Sequence, residues 1–537
     1  MQLFLYFKYS RGEKMPVLVS IIVPVYNAAQ YLEACLDSVV KQKYQTFEVI
    51  VINDGSTDNS EEIIRKYTNS DKRFKLYNQE NHGLGYTRNK GIELSQGKYI
   101  FFLDADDFLP VSSIERLVNS VVKNNADYGV GKVMRYNGER YYVPIRHNEF
   151  KLYQSNIITT LQQNPEILQD SIACNKLWNK KFLVDNNLLF TEGKLYEDLI
   201  FTMKAAVLAK KISVISKAVY YWRIRDDENG PSITQQQMKL SNTRDRITAL
   251  TAIRQWLIES NVDRKILEEH DLKSLLDIIR LHVYKYALIP SNEKQEWHNE
   301  MASFLEQIPP EASDKLRGVE KVLYDLLINK NFEDLLLFSQ MYTNTETEKI
   351  IEQQGNSFYL LGSAEKYEVT KYLKPRMKIG KIEVNKNAIK LSGELTIPKA
   401  TFKTIGLIYM VNRNTKRKIK IASRFNLKQN SKSLYPYENG IFDMVLTRDM
   451  LKGLEEKETY DFYFVLQEDE QHLSSRVIYS SKVAANSYSL EAKHCLYSFY
   501  RTKNGNFSVK VIPNSVGFIS KMQALSKKIL KKLKSLI

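Results

Sequence analysis

Along the first hundred residues, short runs of consecutive apolar side chains alternate with stretches whose apolar positions recur every three to four residues, the pattern of β-α-β units. Val17 to Val25 reads as a strand buried on both faces, and the helix after it turns Tyr31, Leu32, Cys35, Leu36, Val39 and Val40 to one side. Phe47 to Ile52 is the second strand. Asp58 then stands as a helix N-cap with Glu61 three residues on, the spacing of a capping box. Phe74 to Tyr77, a helix from about Leu84 to Leu94 and the strand Tyr99 to Leu103 complete an open, mostly parallel α/β sheet. Sheets of this kind bind ligands outside the carboxyl ends of their strands.

From about Lys239 to Gln353 the apolar period is 3.6, as at Leu272, Leu275, Leu276, Ile279 and Leu281 with Tyr284, and a helical linker is expected over 236–370. Period-two alternation returns in Ile405 to Val411, Tyr460 to Leu466 and Val477 to Ser481, with turn signals at Asn385-Lys386-Asn387 and Asn439-Gly440. A β-sandwich is expected over 371–515. In 516–537, Phe518, Met522, Leu525, Ile529, Leu533 and Leu536 fall on one helical face with six lysines elsewhere, an amphipathic basic helix. Residues 1–14 hold too short an apolar run for a signal or a membrane span and are expected to be a disordered extension before a natural start near Met15.

Charge separates these regions. The 537 residues carry a formal +16, yet Met15 to Gly230 holds 27 basic and 26 acidic residues. Between Lys371 and Lys432 there are 17 basic residues against Glu383 and Glu394 alone. The basic excess belongs to the C-terminal third, and no nucleic-acid motif accompanies it, so nucleic acid is not an expected partner. Cys35, Cys174 and Cys495 form no CxxC, and none of the 7 His falls into metal spacing with them. That excludes a disulfide scaffold and a structural zinc site and fits a reducing compartment.

Phe101-Phe102-Leu103-Asp104-Ala105-Asp106-Asp107 sets three carboxylates directly after an apolar strand. Residues i and i+2 of an extended backbone face one side, so Asp104 and Asp106 can converge on one ligand. Hard oxygens suit Mg2+ or Mn2+ shared with a phosphorylated substrate. Alone, the cluster reads better as a cap for the helix from Ser112. Three further blocks shift that balance: Val19-Ser20-Ile21-Ile22-Val23-Pro24-Val25-Tyr26-Asn27, Asn53-Asp54-Gly55-Ser56-Thr57-Asp58, and Asn81-His82-Gly83 with Arg88-Asn89-Lys90-Gly91. In this order and spacing the four blocks resemble glycosyltransferase family 2, whose catalytic domain has the Rossmann-like GT-A fold. The resemblance covers Val17 to Thr234, under half of the chain. Cys174-Asn175-Lys176-Leu177-Trp178, Phe190-Thr191-Glu192-Gly193 and Tyr196-Glu197-Asp198 look like the family's acceptor-side segment. Tyr221-Trp222-Arg223-Ile224-Arg225 with Ser232 looks like its lid, although Asp226 to Pro231 inserts extra residues there and Gly85-Tyr86-Thr87 departs from the usual small residues.

The resemblance implies a metal-dependent inverting glycosyltransferase. Pro24, Tyr26 and Asp54 would hold the uracil and ribose, Asn81 would belong to the nucleotide-sugar site, Asp104 would add a ribose or uracil contact, and Arg88 would support the nucleotide. Arg225 and Ser232 would close on the diphosphate, and Asp106 would ligate Mn2+ or Mg2+. Glu197 would shape the acceptor site, and Asp198 would be the general base. Each residue also has a plain structural reading, with Asp54 and Asp58 as turn and cap residues, Asp198 as a helix-dipole partner, Arg88 on a solvated face, and Trp178 and Trp222 in the core.

The helical linker and β-rich C-terminus are similar in architecture to glycosyltransferases that decorate wall teichoic acid. By that similarity, GlcNAc from a UDP-sugar would pass to a hydroxyl of an anionic envelope polymer at the cytoplasmic face of the cell membrane. The basic domain would grip the polymer and offer a self-association surface, while 516–537 rests on the membrane as a peripheral contact. A capsule or exopolysaccharide repeat unit or a glycosylated adhesin is the alternative acceptor. A non-catalytic polymer-binding scaffold is the alternative of another class, and the intact Asp104, Asp106 and Asp198 argue against it.

Overall fold

The apolar run Val19–Val25 forms β1, buried at every position, and the chain organises around it. In the computed structural model, which describes residues 18–138, 140–225, 238–343 and most of 351–513, two units are distinguished, Met1–Ile328 and Asn329–Ile537. In the first unit, β1 is followed by α1 (Ala29–Val40), β2 (Phe47–Asp54), α2 (Ser60–Ser70), β3 (Phe74–Gln79), α3 (Leu84–Leu94), β4 (Tyr99–Phe102) and α4 (Ser113–Asn124). Next come β5 (Tyr128–Tyr136), β6 (Tyr141–Tyr142), α5 (Ile145–Glu149), β7 (Ile157–Thr159), β8 (Lys176–Asn179), α6 (Lys180–Asp185), α7 (Glu197–Leu208) and β9 (Ile212–Arg223).

The sheet runs β3-β2-β1-β4-β8-β5-β9-β7, with β6 on β5. β1 pairs in parallel with β2 and β4, and β2 with β3, whereas β8 runs antiparallel between β4 and β5. Val25 lies opposite Asn53, Asp54 opposite Gln79, and Ile22 opposite Phe102. One edge therefore collects Tyr26, Asp54 and the Asp104–Asp107 turn. This is the mostly parallel α/β fold expected from the sequence.

Two local expectations fail in this unit. α2 starts at Ser60, after Asn59, and Asp58 Oδ1 accepts from the Ser60 amide at 3.0 Å, so the expected cap is made, but its capping box is not, because Glu61 pairs with Arg65. Asp58 Oδ2 accepts from the Ala29 amide at 2.9 Å, and Ser60 Oγ from the Ala28 amide at 3.0 Å. The cause lies in α1, whose N-cap residue is Ala28: it has no side-chain acceptor, so the neighbouring loop supplies them. Val40 is the second, an exposed position on the expected apolar face of α1.

Further helices α8 (Leu240–Glu259), α9 (Arg264–Leu281), α10 (Lys294–Leu305) and α11 (Val319–Ile328) belong to the first unit. The second unit opens with α12 (Phe332–Thr343) and an antiparallel sheet of β10 (Ile351–Gln354), β11 (Ser357–Leu361) and β12 (Lys366–Glu368). These strands fall inside the stretch expected to be helical. They bury Ile351, Phe358 and Leu360 at alternate positions, and Gly355 turns with φ 58°, signals too short to outweigh the helical pattern before them.

Downstream lie β13 (Arg376–Val384), β14 (Ala388–Thr396), β15 (Leu407–Asn412), β16 (Lys418–Ile421), β17 (Phe425–Asn430) and β18 (Tyr437–Thr447). After α13 (Arg448–Leu451) come β19 (Thr459–Val465), β20 (Ser474–Arg476), β21 (Ile478–Tyr479), β22 (Tyr488–Glu491), β23 (Cys495–Arg501) and β24 (Phe507–Pro513). They form two mostly antiparallel sheets, β17-β18-β14-β13-β21 and β16-β15-β19-β24-β23-β22 with β20 on β19, the β-rich C-terminal part expected. Asn385 Oδ1 accepts from the amides of Asn387 and Ala388 and closes the β13–β14 turn. Asn439-Gly440 makes no turn. It lies within β18, in the stretch between Tyr437 and Ile441 where the register with β17 shifts between Lys428 and Asn430, so the irregularity is a break in pairing and not a chain reversal.

All three cysteines are free and buried. No helix among the described residues is long and apolar enough to cross a membrane. Residues 1–14, Ser232 and 516–537 lie outside the described residues.

Candidate active site

At the sheet edge, Pro24 is buried inside β1, while Tyr26, just beyond it, is 53% exposed and offers a ring face to a ligand. Asp54 is buried with both oxygens engaged. Oδ1 accepts from Gln79 Nε2 at 2.7 Å and the His82 amide at 2.9 Å, and Oδ2 from the Gly83 amide at 2.9 Å. Asp54 thus shapes the loop that carries exposed Asn81. Gly55, at φ 74°, permits that approach, because a Cβ there would meet the Asn81 amide nitrogen at 2.9 Å.

The turn after β4 divides its carboxylates. Asp104 is 31% exposed and accepts through Oδ1 from Arg88 at 2.6 Å. Asp106 accepts through Oδ2 from Arg225 Nε at 2.7 Å, and burial raises its pKa while Arg225 opposes the rise. Asp107 is buried, receives the Tyr220 hydroxyl at 2.6 Å and the Arg223 amide at 2.7 Å, and is pushed well above the usual carboxylate range by burial and by its two acidic neighbours. It therefore anchors the end of β9 beneath the turn. Arg225 and Asp106 meet; Ser232 is not described.

Arg88, on α3, is not on a solvated face. Its side chain is 3% exposed and spans from Asp104 to Glu197, with Nη1 at 2.5 Å from Glu197 Oε1. Burial opposes its charge, but Asp104, Cys174, Glu197 and Asp198 together raise its pKa well above the usual value. The guanidinium thus ties the carboxylate turn to the start of α7. Asp198, next along, is partly exposed. Burial and then the Glu197 charge push its carboxyl up to about 7, against the pull of Arg88 and Arg246. A carboxyl near 7 suits proton removal at neutral pH.

The family model "Glycosyl transferase family 2" matches residues 20–187, and "TarS beta-glycosyltransferase C-terminal domain 1" matches 369–511. Glycosyltransferase GlyG of Streptococcus pneumoniae is 31% identical over 239 residues, 43% of this chain and 77% of the relative. The chain belongs to glycosyltransferase family 2.

This family 2 glycosyltransferase spans 30% of the length of another curated relative, GlyA of S. pneumoniae, at 36% identity and over 38% of its own chain. Likeness to the poly(ribitol-phosphate) beta-glucosyltransferase of Bacillus spizizenii is longer, 26% identity over 89% of this chain and 74% of that one. The crystal structure of Staphylococcus aureus TarS shares the fold, with a TM-score of 0.54 at 20% identity over 93% of this chain and 85% of that one. Its 1–349 portion, solved in complex with UDP-GlcNAc, aligns with a TM-score of 0.50 at 22% identity over 65% of this chain and 98% of that one. A further relative of this chain, the poly(ribitol-phosphate) beta-N-acetylglucosaminyltransferase TarS of S. aureus, is 28% identical over 54% of this chain and 49% of that one.

Among the described residues no cluster of three His, Cys, Asp or Glu side chains could hold a metal unaided. The chemistry present fits a hard cation as one carboxylate, Asp106, completed by ligand oxygens such as those of a diphosphate. Several residues of the site escaped the sequence reading. Asn89 Nδ2 donates to the Phe190 carbonyl and Glu192, and Asn89 Oδ1 accepts from the Phe190 amide, so the Arg88-Asn89 pair faces two ways. Gly85 is required where α3 meets the acceptor-side turn, since a Cβ would lie 2.1 Å from the Thr191 carbonyl oxygen. Its place in an atypical motif was the available signal. Trp178 is fully buried between Tyr128 and Phe201 and is a core residue.

Proposed function

We propose that the protein transfers GlcNAc from UDP-GlcNAc to a hydroxyl of a poly(polyol phosphate) envelope polymer, wall teichoic acid being the expected acceptor. The observation that carries this is the Asp104–Arg88–Glu197 bridge, which ties the start of α7, where Asp198 follows Glu197, to the carboxylate turn at the sheet edge. The long match to a poly(ribitol-phosphate) transferase and the UDP-GlcNAc complex of TarS support acceptor and donor.

In this reading Tyr26, Asn81 and Asp104 receive the nucleoside, and Asp54 holds the loop around it. Asp198 takes the proton of the acceptor hydroxyl as its oxygen attacks the anomeric carbon from the face opposite UDP, a contribution of ~10²- to 10⁴-fold. The single displacement inverts the anomeric centre, so an α-linked donor sugar leaves as a β-glycoside. Mn2+ or Mg2+, when bound, would be held by Asp106 and would offset charge on the departing diphosphate. Arg225, paired with Asp106, would bring a positive charge to the same diphosphate. The exposed lysines and arginines of 413–420 hold the polymer, and 516–537 rests on the membrane.

A screen of UDP-sugars with Mn2+, with and without poly(ribitol phosphate), tests the proposal. UDP-GlcNAc is expected to give polymer-dependent UDP release and a β-linked product. Absence of turnover with every UDP-sugar contradicts it and favours a polymer-binding scaffold. Deleting 516–537 is expected to move the protein from membrane to soluble fractions, and unchanged fractionation contradicts the membrane contact.

A further inference from the structure

The turn leading into Glu197 and Asp198 is held from outside the sheet. Tyr196, at the N-cap of α7, has left-handed backbone with φ 62°, a conformation a bulky side chain rarely adopts without support. That support comes from α8. The Tyr196 hydroxyl donates to Asn242 Oδ1, and the Arg246 guanidinium lies over its ring, 3.8 Å from the centroid. One residue earlier, the Leu195 amide donates to Asp245 Oδ2 at 3.2 Å, and Lys194 pairs with Asp245 Oδ1 at 3.1 Å. Positions 242, 245 and 246 share one face of a helix, so a single surface of α8 grips three successive residues of the turn.

Arg246 is itself held. Its Nη1 pairs with Asp277 Oδ2 at 2.9 Å, and Asp277, buried in α9, also pairs with Lys273 at 2.9 Å and with Arg146 of α5. The guanidinium can neither swing into solvent nor leave the Tyr196 ring without stranding part of this buried charge set.

We infer that α8 is a positioning element of the reaction: Asn242, Asp245 and Arg246 hold the Tyr196 turn so that Asp198 faces the acceptor hydroxyl, and Asp277 fixes Arg246. This rests on the reading of Asp198 as the base. The stretch expected to be a linker is therefore part of the catalytic arrangement. The charged and titratable groups facing Asp198 are Glu197 on its own helix, Arg88 from α3, Asp104 from the β4 turn, Cys174 and Lys176 at β8, and Arg246 from α8. Arg246 is a cation that the helical segment adds to the base, and its removal disfavours the ionised carboxylate.

The test compares full-length wild type with Tyr196→Phe, Arg246→Ala, Arg246→Lys and Asp198→Asn, measuring kcat and donor KM from pH 5.5 to 9. Tyr196→Phe, which removes one hydroxyl, is expected to lower kcat about tenfold with donor KM unchanged, a misplacement effect. Arg246→Ala is expected to move the acidic limb of kcat/KM upward by about half to one pH unit, and Arg246→Lys to restore it. Wild-type kcat in Tyr196→Phe overturns the inference, as does an unmoved limb in folded Arg246→Ala. Should Arg246→Ala fail to fold, Tyr196→Phe decides. Near-wild-type turnover by Asp198→Asn overturns the base itself and the inference with it. An inactive Asp198→Asn beside a fully active Tyr196→Phe overturns the inference alone.

Discussion

In the first unit, ionised side chains come in buried, interlocking sets: Arg88 with Asp104 and Glu197, and Asp277 with Arg146, Arg246 and Lys273. In the second unit, Lys416, Arg417, Lys418 and Lys420 stand exposed around the β15–β16 turn, and even Arg413, which shares Asp461 with Arg476, is 44% exposed. Both regions are rich in charge, and the physics differs. A buried pair cannot lose one partner without leaving the other uncompensated, so it fixes geometry. Exposed cations, even when paired as Arg417 is with Glu455, add little to stability and can exchange a partner for a long anionic one, in a salt-dependent way. The near-neutral region is where charge is placed for chemistry, and the basic region is where it forms a field.

Breaking the first set has the largest expected effect on stability. Arg88→Ala leaves Asp104 and Glu197 facing each other without their cation and is expected to cost about 3–5 kcal/mol, read as a lower denaturant midpoint. Gly85→Ala forces a Cβ against the Thr191 carbonyl and is expected to cost about 1–3 kcal/mol while loosening the acceptor-side turn. Asp198→Asn should stabilise the fold with a definite pH dependence. The folded pKa of about 7 lies above the ordinary value of 3.8, so the folded state holds this proton more tightly. The stability it brings is complete below about pH 4 and is lost as pH rises through about 7. Asn cannot ionise, so the variant should gain on wild type by on the order of 1 kcal/mol between pH 5 and pH 8. Equal gains at both pH values contradict the burial of Asp198. The smallest stability effect belongs to the second region, where replacing Lys416, Arg417, Lys418 and Lys420 by Ser is expected to leave unfolding nearly unchanged. The same variant should lower polymer-dependent turnover about tenfold at low salt and converge with wild type at high salt. Salt-insensitive turnover by wild type removes the polymer grip from the account.

Legibility in the sequence followed how local each cause was. The Leu84–Leu94 helix and the buried run of β1 were readable because period and boundary lie within the segment itself. The edge that gathers Tyr26, Asp54 and Asp104 was readable because strand order puts successive strand ends side by side. The capping role of Asp58 was readable, but its second partner, the amide of Ala29 in another loop, was not. Asn439-Gly440 was misread because the pairing of the strand before and after it, with partners distant in sequence, makes it an irregularity within β18 instead of a turn. The burial of Arg88 was hidden for the same reason, since its partners lie 16 and 109 residues away. The hold of α8 on Tyr196 was invisible, because nothing in a 3.6-residue period says what the helix packs against.

The most direct test of the central claim is the pH–rate profile of polymer-dependent UDP release by wild type and Asp198→Asn, with donor affinity measured alongside. Wild-type kcat/KM should rise with pH through an apparent pKa near 7, and Asp198→Asn should bind the donor normally yet turn over ~10²- to 10⁴-fold more slowly at every pH. An Asp198→Asn enzyme within a few-fold of wild type, with the same acidic limb, would contradict it.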